Sequence, residues 1–535
     1  MRARFQAHAA GAVVATVLAV GYGAPAQASH FGTRASSPRP ASVAVGYRSR
    51  AALAAALARV QARVVRRIPA LHVAQVTIAA TAAAELSRLP GITFVQRQSP
   101  RHDNAVREPA LAQAFGKAIP WEWQWAVARE DAVPDAVLRA ASALTIAVVD
   151  TGADLSAPDL GAKAPLTYNE RTGTSDVRDG AGHGTFVAAL AGGSITNDDG
   201  IAGFGGDAKL MIIKAGSGDG SFTDLDESTA IVYAVDHGAR IVNLSFGGPS
   251  TSATERRAID YATSHGVLVV AAAGNEFSSG NPVEYPAALL QPAGSNGAGG
   301  VGLSVGASTM TGARASFSNS GGYLSLVAPG ENVFSAVSAD SSPARFPRVA
   351  LTGSLAGVYG YASGTSFSAP EVAGAAALVW AANPLLDATR VAGILKETAS
   401  GHGTWTADLG WGVLDVGAAV QRAMGATAPT AIASLTLNAQ LLRPTQLAAA
   451  ALRKAAIVAT LRPSAPGVAA GPRLLTLERF DGVAWRSVAG AQTRVDGQAT
   501  WMVTLKPGTV QLRARWAGSG DLTGAVSGTV RLRVA

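Results

Sequence analysis

The sequence predicts an α/β protein with a mainly parallel sheet, preceded by a small α+β unit and followed by an all-β sandwich. Two observations carry this prediction. Between residues 107 and 424, short and almost wholly apolar runs alternate with Ala-rich helical stretches, the pattern of strands covered by helices on both faces. After residue 430 the helical pattern stops, and short runs alternate at period two between Gly, Pro and Asp turns. A chain of 535 residues exceeds one ordinary domain, and 48% hydrophobic residues with 60 Gly indicate a packed, turn-rich protein.

Taken in order, Arg2 and Arg4 precede an apolar run from Ala9 to Val20 and the small-residue pattern Ala26-Gln27-Ala28. Residues 1–28 therefore read as a secretory signal peptide, because twelve apolar residues are too few to span a bilayer. No later stretch reaches about 18 uninterrupted apolar residues, so the rest is expected to be secreted, extracellular and without a transmembrane anchor. Residues 29–106 read as an α+β unit. "SVAVGY" starts as a strand, and "RSRAALAAALARVQARVVRRI" has helical spacing with Arg on its outer face. "LHVAQVTIAA" is a second strand, "TAAAELSRL" a second helix and "GITFVQR" a third strand.

In residues 107–424 the strands are "ALTIAVVD", "KLMIIKA", "ARIVNLSFGG", "GVLVVAAAGN" and "GVGLSVGAS". Their polar residues sit at the carboxyl ends, where open α/β sheets bind ligands. In residues 430–535, "SLTLNAQL", "KAAIVATL", "RLLTLERFDG", "ATWMVTL", "VQLRARWAG" and "GTVRLRVA" give the sandwich strands.

Charge and composition exclude several functions. The net charge of +8 is divided: residues 29–106 hold 11 Lys+Arg against 2 Asp+Glu, residues 107–424 hold 18 against 30, and residues 425–535 hold 13 against 4. The acidic body between basic flanks has no basic stripe, so no nucleic-acid partner is expected. Absence of cysteine removes disulfides, thiolate metal sites and cysteine nucleophiles.

Four stretches carry the chemistry. "IAVVDTGAD" puts Asp150 at a strand end, and "DGAGHGTFVAALAGG" puts His183 where a small-residue helix starts. "VVAAAGNEF" ends a strand at Gly274-Asn275, and "YASGTSFSAPEVAG" puts Ser366 at the start of a helix that tolerates Pro370 in its first turn. Alone, Ser366 is as well read as an N-cap. A serine hydroxyl becomes a nucleophile when a base takes its proton, histidine suits that near neutrality, and a buried carboxylate fixes the imidazole tautomer. Asn275 and the backbone N–H of Ser366 can serve the oxyanion that attack on a carbonyl creates.

With these motifs in the order Asp, His, Ser, residues 107–424 resemble the subtilase family of serine endopeptidases. "SFGG" at 245–248, "EYPAA" at 284–288, "ASFSNSGG" at 315–322, "APG" at 328–330 and "GWGVLD" at 410–415 extend the resemblance. It implies a doubly wound α/β fold, a catalytic triad of Asp150, His183 and Ser366, Asn275 in the oxyanion hole, protein or peptide substrates and no cofactor for catalysis. It also implies a primary specificity pocket walled by Ser245, Phe246 and Gly247 and by Ala271 to Gly274, including Ala273 and Gly274. No carboxylate lies in those two stretches, so large apolar side chains are expected there. Phe186, Phe367 and Ser368 depart from residues common in relatives, next to the site.

Residues 43–101 resemble the family's inhibitory propeptide, so residues 29–106 are an expected inhibitor of the chain itself, removed by a cut near His102 to Arg107. The opposite charges of this segment and the body are expected to steer them together. The C-terminal part resembles bacterial immunoglobulin-like modules, and its basic charge suggests a cell-surface polyanion as partner. Asp159 and the loop "ITNDDGIAG" resemble positions that hold a structural calcium in some relatives, with suitable oxygen ligands. "GIAGFGG" and "GSNGAGGVG" lack phosphate-loop endings and read as turns. His237 and His265, each before a Gly, read as helix ends, and "WEWQW" reads as packing rather than carbohydrate binding. An adhesive protein with a vestigial protease fold lacks a reason to keep all four site residues. An esterase is disfavoured because Gly364-Thr365-Ser366 is not a Gly-x-Ser-x-Gly elbow.

Overall fold

The strands predicted between 107 and 424 assemble into one seven-stranded sheet in a computed structural model. The structure describes residues 40–103, 113–114, 117–118, 123–197, 200–291, 295–349, 359–425, 433–441, 453–463, 473–481, 485–494, 497–519 and 522–534. The predicted signal peptide lies outside these residues. The sheet order is Leu326–Pro329, Gly302–Ser308, Leu268–Ala272, Ile241–Leu244, Thr145–Asp150, Lys209–Lys214 and Leu166–Asn169. Every pairing in it is parallel. The first and last of these strands were not foreseen in the sequence.

Strand residues alternate between two cores, which is why their sequences are apolar throughout. Ile146 and Val148 face one core with the helices His183–Gly192 and Thr365–Ala382. Ala147 and Val149 face the other with the helices Asp224–Asp236 and Ala253–Ser264. From Thr145–Asp150 the chain winds outward in one direction through Lys209–Lys214 and in the other through Ile241–Leu244. The strand order thus reverses beside Asp150, and the crevice at such a switch point is the place for a ligand.

The N-terminal unit is a four-stranded antiparallel sheet in the order Arg63–Ile68, Val73–Ala79, Pro40–Tyr47, Ile92–Arg97. Its first helix is shorter than predicted, Arg50–Arg59, and the "RVVRRI" read as its continuation is a strand. The helix stops at Val60-Gln61, where Gln61 has φ of 51°, and β-branched Val64 and Val65 then favour the sheet. Ala44, Ile68, Leu71 and Val73 of this unit belong to the same core as Val232 and Ala258 of the two helices below them.

Beyond this unit, Pro100–Asp103 leaves its sheet and forms the middle strand of another. It pairs antiparallel with Ser221–Thr223 on one side and with Phe246–Gly247 on the other. The C-terminal strands form two antiparallel sheets, Ala433–Leu441, Arg453–Pro463 and Gln498–Leu505 in one, and Leu474–Phe480, Trp485–Gln492, Gly508–Ser519, Leu522–Val526 and Val530–Val534 in the other. Leu435, Ile457 and Trp501 from the first share a core with Leu477, Leu512 and Trp516 from the second, which makes a sandwich.

Candidate active site

Asp150 ends its strand fully buried, and its Oδ1 lies 2.7 Å from Nδ1 of His183, the first residue of the His183–Gly192 helix. The approach depends on Gly184. A Cβ there would stand 2.1 Å from the Gly152 carbonyl oxygen, so any side chain would push the helix away from the strand. Asp179, buried and not singled out in the sequence, ties the two together. Its carboxylate accepts from Thr151 Oγ1, Gly182 N–H and both the N–H and hydroxyl of Thr185, at 2.7 to 2.8 Å. The "DGAGHG" string, with its acid four residues before the histidine, was the available signal.

Burial pushes the His183 pKa down, but the charge and hydrogen bond of Asp150 outweigh it, with a further contribution from Asp103, and the net direction is up. The charged imidazolium is thereby favoured beside Asp150. The departures Phe186 and Phe367 prove to be one feature: their rings lie 4.4 Å apart, and Phe367 lies 5.6 Å from the His183 ring.

Ser366 is the second residue of the Thr365–Ala382 helix and is fully buried. Its hydroxyl donates to the Ser245 carbonyl at 2.8 Å, while Ser245 Oγ donates to the Ser366 carbonyl at 2.7 Å. A hydroxyl has one proton, so this rotamer directs it at Ser245 rather than at His183. Asn275 lies half-buried just beyond the strand Leu268–Ala272. Its Oδ1 accepts from Thr365 N–H at 2.9 Å, which fixes Nδ2 as the donor end of the amide. Gly274 N–H donates to Thr365 Oγ1 at 3.2 Å, a second tie between the strand end and the serine helix.

Of the predicted pocket residues, Phe246 and Gly247 pair with Asp103 and His102 of the chain's own Pro100–Asp103 strand. Ala273 N–H donates to Val305 O, and its own carbonyl accepts from Tyr323. Gly274 has φ of 107°, and a Cβ there would meet Glu284 Cγ at 2.5 Å and Glu276 Oε2 at 3.0 Å. These two carboxylates escaped the sequence reading, which considered only the wall stretches. Glu284 is pushed up to about 8 by burial and then by Glu276, and Arg101 opposes the shift.

The Asp159 carboxylate, offered for calcium by the resemblance, accepts from Tyr359 OH at 2.7 Å, Ile201 N–H at 3.1 Å and Asn197 Nδ2 at 3.3 Å. Asp198 and Asp199 of that loop lie outside the described residues. Among the described residues no group of three or more His, Asp or Glu is arranged to hold a metal ion. The bland readings of other motifs hold: His237 and His265 cap their helices, and Trp123 and Trp125 donate to Asn332 and Ala202 carbonyls.

Residues 141–412 match the model of the Subtilase family. The chain belongs to this family. Residues 37–98 of this subtilase match the fervidolysin N-terminal prodomain, so it is a serine peptidase with a prodomain. An alkaline protease of Alkalihalobacillus alcalophilus is 32% identical over 303 residues, 56% of this chain and 69% of that one. Subtilisin amylosacchariticus of Bacillus subtilis subsp. amylosacchariticus is 28% identical over 368 residues, 67% of this chain and 83% of that one. The crystal structure of fervidolysin from Fervidobacterium pennivorans, described as a keratinolytic enzyme related to subtilisin, has the same fold. It matches at a TM-score of 0.61 and 23% identity, over 90% of this subtilase and 72% of that chain.

Proposed function

We propose that this subtilase is an exported endopeptidase made as a self-processing zymogen. Residues 1–28 are its signal peptide, 29–106 an inhibitory propeptide, 107–424 the catalytic domain and 430–535 an immunoglobulin-like accessory domain. The observation that carries the reading is the buried 2.7 Å Asp150–His183 pair at the sheet's switch point, with the chain's own strand 100–103 lying beside Ser245. Ser366 Oγ turns from the Ser245 carbonyl and attacks the scissile carbonyl carbon as His183 Nε2 takes its proton. Asn275 Nδ2 and the Ser366 N–H, at a helix start where N–H groups lack helical partners, receive the oxyanion. His183 returns the proton to the leaving nitrogen, and water then hydrolyses the acyl-enzyme by the same route. No step needs a cofactor.

Contacts across the prodomain face support self-inhibition: prodomain Arg66 pairs with Glu170 and Asp226 of the body, and Arg257 of the body donates to the prodomain's Leu71 and His72 carbonyls. The Arg2/Arg4 and Ala26-Gln27-Ala28 pattern supports export. Among the described residues no helix is long and apolar enough to cross a membrane. The excess of 13 Lys+Arg over 4 Asp+Glu in residues 425–535 supports contact with a polyanionic surface. A fluorophosphonate probe tests the whole reading. It should label Ser366 in the processed enzyme, which digests casein, and label the uncut chain far more slowly; label on another residue overturns it.

Two outcomes follow for the pocket. Asn275→Ala should lower kcat by about 10²–10³ with KM little changed, because its bond strengthens in the transition state. A raised KM with kcat intact would make Asn275 a substrate-binding residue instead. Large apolar residues should be preferred at the scissile position near pH 7, where Glu284 is mostly protonated. Above pH 8 its ionisation places a charge beside Gly274, so the advantage of Leu over Lys in kcat/KM should narrow from pH 7 to pH 9. A ratio that does not move with pH separates Glu284 from the pocket.

A further inference from the structure

The N-terminal unit is basic, and most of its arginines are at the surface. Arg101 is not: it is fully buried in the strand Pro100–Asp103. Its Nε donates to Glu227 at 3.1 Å, its Nη2 to Glu255 at 2.5 Å and its Nη1 to its own neighbour's carbonyl, that of Pro100, at 3.0 Å. Both glutamates are themselves without solvent exposure. Each stands in the first turn of a helix, Asp224–Asp236 or Ala253–Ser264, whose start is fixed by a capping box, so the two carboxylates are held by the catalytic body. Asp224, also buried, accepts from Ser99 N–H at 2.8 Å and gives its own N–H to the Ser99 carbonyl.

Two buried carboxylates facing one space are costly without a cation between them. Burial drives Glu227 well above the usual carboxylate range, Glu255 adds to the rise, Arg101 opposes it, and Asp224 adds further. Glu284 also feels the Arg101 charge. Glu227 Oε1 is buried and has no hydrogen-bond partner, so this carboxylate keeps acceptor capacity for a further donor. Such a pocket matches the planar fork of a guanidinium better than the point charge of a lysine.

Register gives the pocket its position along a substrate. Gly247 faces His102 and Phe246 faces Asp103, and the preceding body residue, Ser245, has its carbonyl 2.8 Å from Ser366 Oγ. A peptide bound in this register puts the residue after the one at Asp103's place opposite Ser245, with its carbonyl at Ser366. We propose that Glu227 and Glu255 form a substrate subsite selective for arginine, three residues before the residue that supplies the scissile carbonyl. The proposal rests on Ser366 being the nucleophile. In the uncut chain Arg101 fills this subsite; after processing, an arginine of the substrate does.

The test uses enzyme matured from the full chain and fluorogenic peptides of the form Arg-Ala-Ala-Leu, compared with norleucine, glutamine and lysine in place of Arg. The expected kcat/KM is about 10²-fold higher for Arg than for norleucine or glutamine, the scale of charged hydrogen bonds to buried partners. Lysine should fall between them. Glu255→Gln should cut the Arg-over-norleucine ratio at least tenfold, and Glu227→Gln is a second variant if the first does not mature. Equal kcat/KM for Arg and norleucine, in enzyme whose Ser366 takes up fluorophosphonate, overturns the subsite and leaves the triad standing. Failure to label Ser366 together with failure to cleave any peptide overturns both.

Discussion

Ser366→Ala is expected to lower kcat by about 10⁶ and to leave the chain uncut. The substitution removes one hydroxyl whose only described hydrogen bond is to the Ser245 carbonyl. The Thr365–Ala382 helix is buried from Thr365 to Trp380, so its position is set by packing and not by this bond. Loss of activity with an unchanged fold is therefore the outcome that isolates the nucleophile. The measurement is casein hydrolysis with circular dichroism and intact mass, in a host free of other proteases. The parent should accumulate a form lacking the N-terminal unit, and the variant should retain that unit. Proteolysis near the parental rate would exclude Ser366 as nucleophile. Loss of casein hydrolysis with normal removal of the N-terminal unit would mean that another protease performs the maturation.

The sheet and the candidate triad were legible in the sequence for the same reason. Strands covered on both faces must be apolar, so a polar residue at a strand end stands out, as Asp150 and Asn275 do. Ser366 was marked by the small residues before it and Pro370 after it. The short strand Arg63–Ile68 was not legible, because two Val and three Arg fit a helix face as well as a strand, and the turn at Gln61 has no Gly or Pro to announce it. The rotamer of Ser366 is a matter of tertiary geometry that no motif encodes. The carboxylates around Arg101 were invisible for a different reason. Glu227 and Glu255 are 126 and 154 residues away from it, and each by itself reads as an ordinary acid in a helix's first turn. Only the packing of the Asp224–Asp236 and Ala253–Ser264 helices side by side brings these two first-turn acids to one buried cation, Arg101. Glu284 was not legible for the same reason: it stands ten residues beyond Gly274 in the chain, yet a Cβ at Gly274 would meet its Cγ.

Asp150→Asn should reduce kcat by about 10⁴ while the local geometry survives. Asparagine is nearly isosteric, and the strand Thr145–Asp150 is held by parallel pairing on both sides. What changes is the partner of His183 Nδ1. A carboxylate oxygen accepts a proton from Nδ1 and leaves Nε2 free to act as base; an amide nitrogen at that place favours the opposite tautomer, with the proton on Nε2. The pH profile distinguishes this from a merely structural effect. In the parent, burial lowers the His183 pKa, and the charge and hydrogen bond of Asp150 more than restore it. Removing that charge leaves burial unopposed by Asp150, so the pKa falls. With the neutral imidazole as the proposed base, activity should rise as His183 loses its proton, so the acid limb of kcat/KM should move to lower pH in the variant. Measurement of kcat/KM from pH 5 to pH 9 on one fluorogenic peptide gives both quantities. A loss below about tenfold, or an acid limb that stays in place, would mean that the buried 2.7 Å pair holds the fold together without activating the histidine.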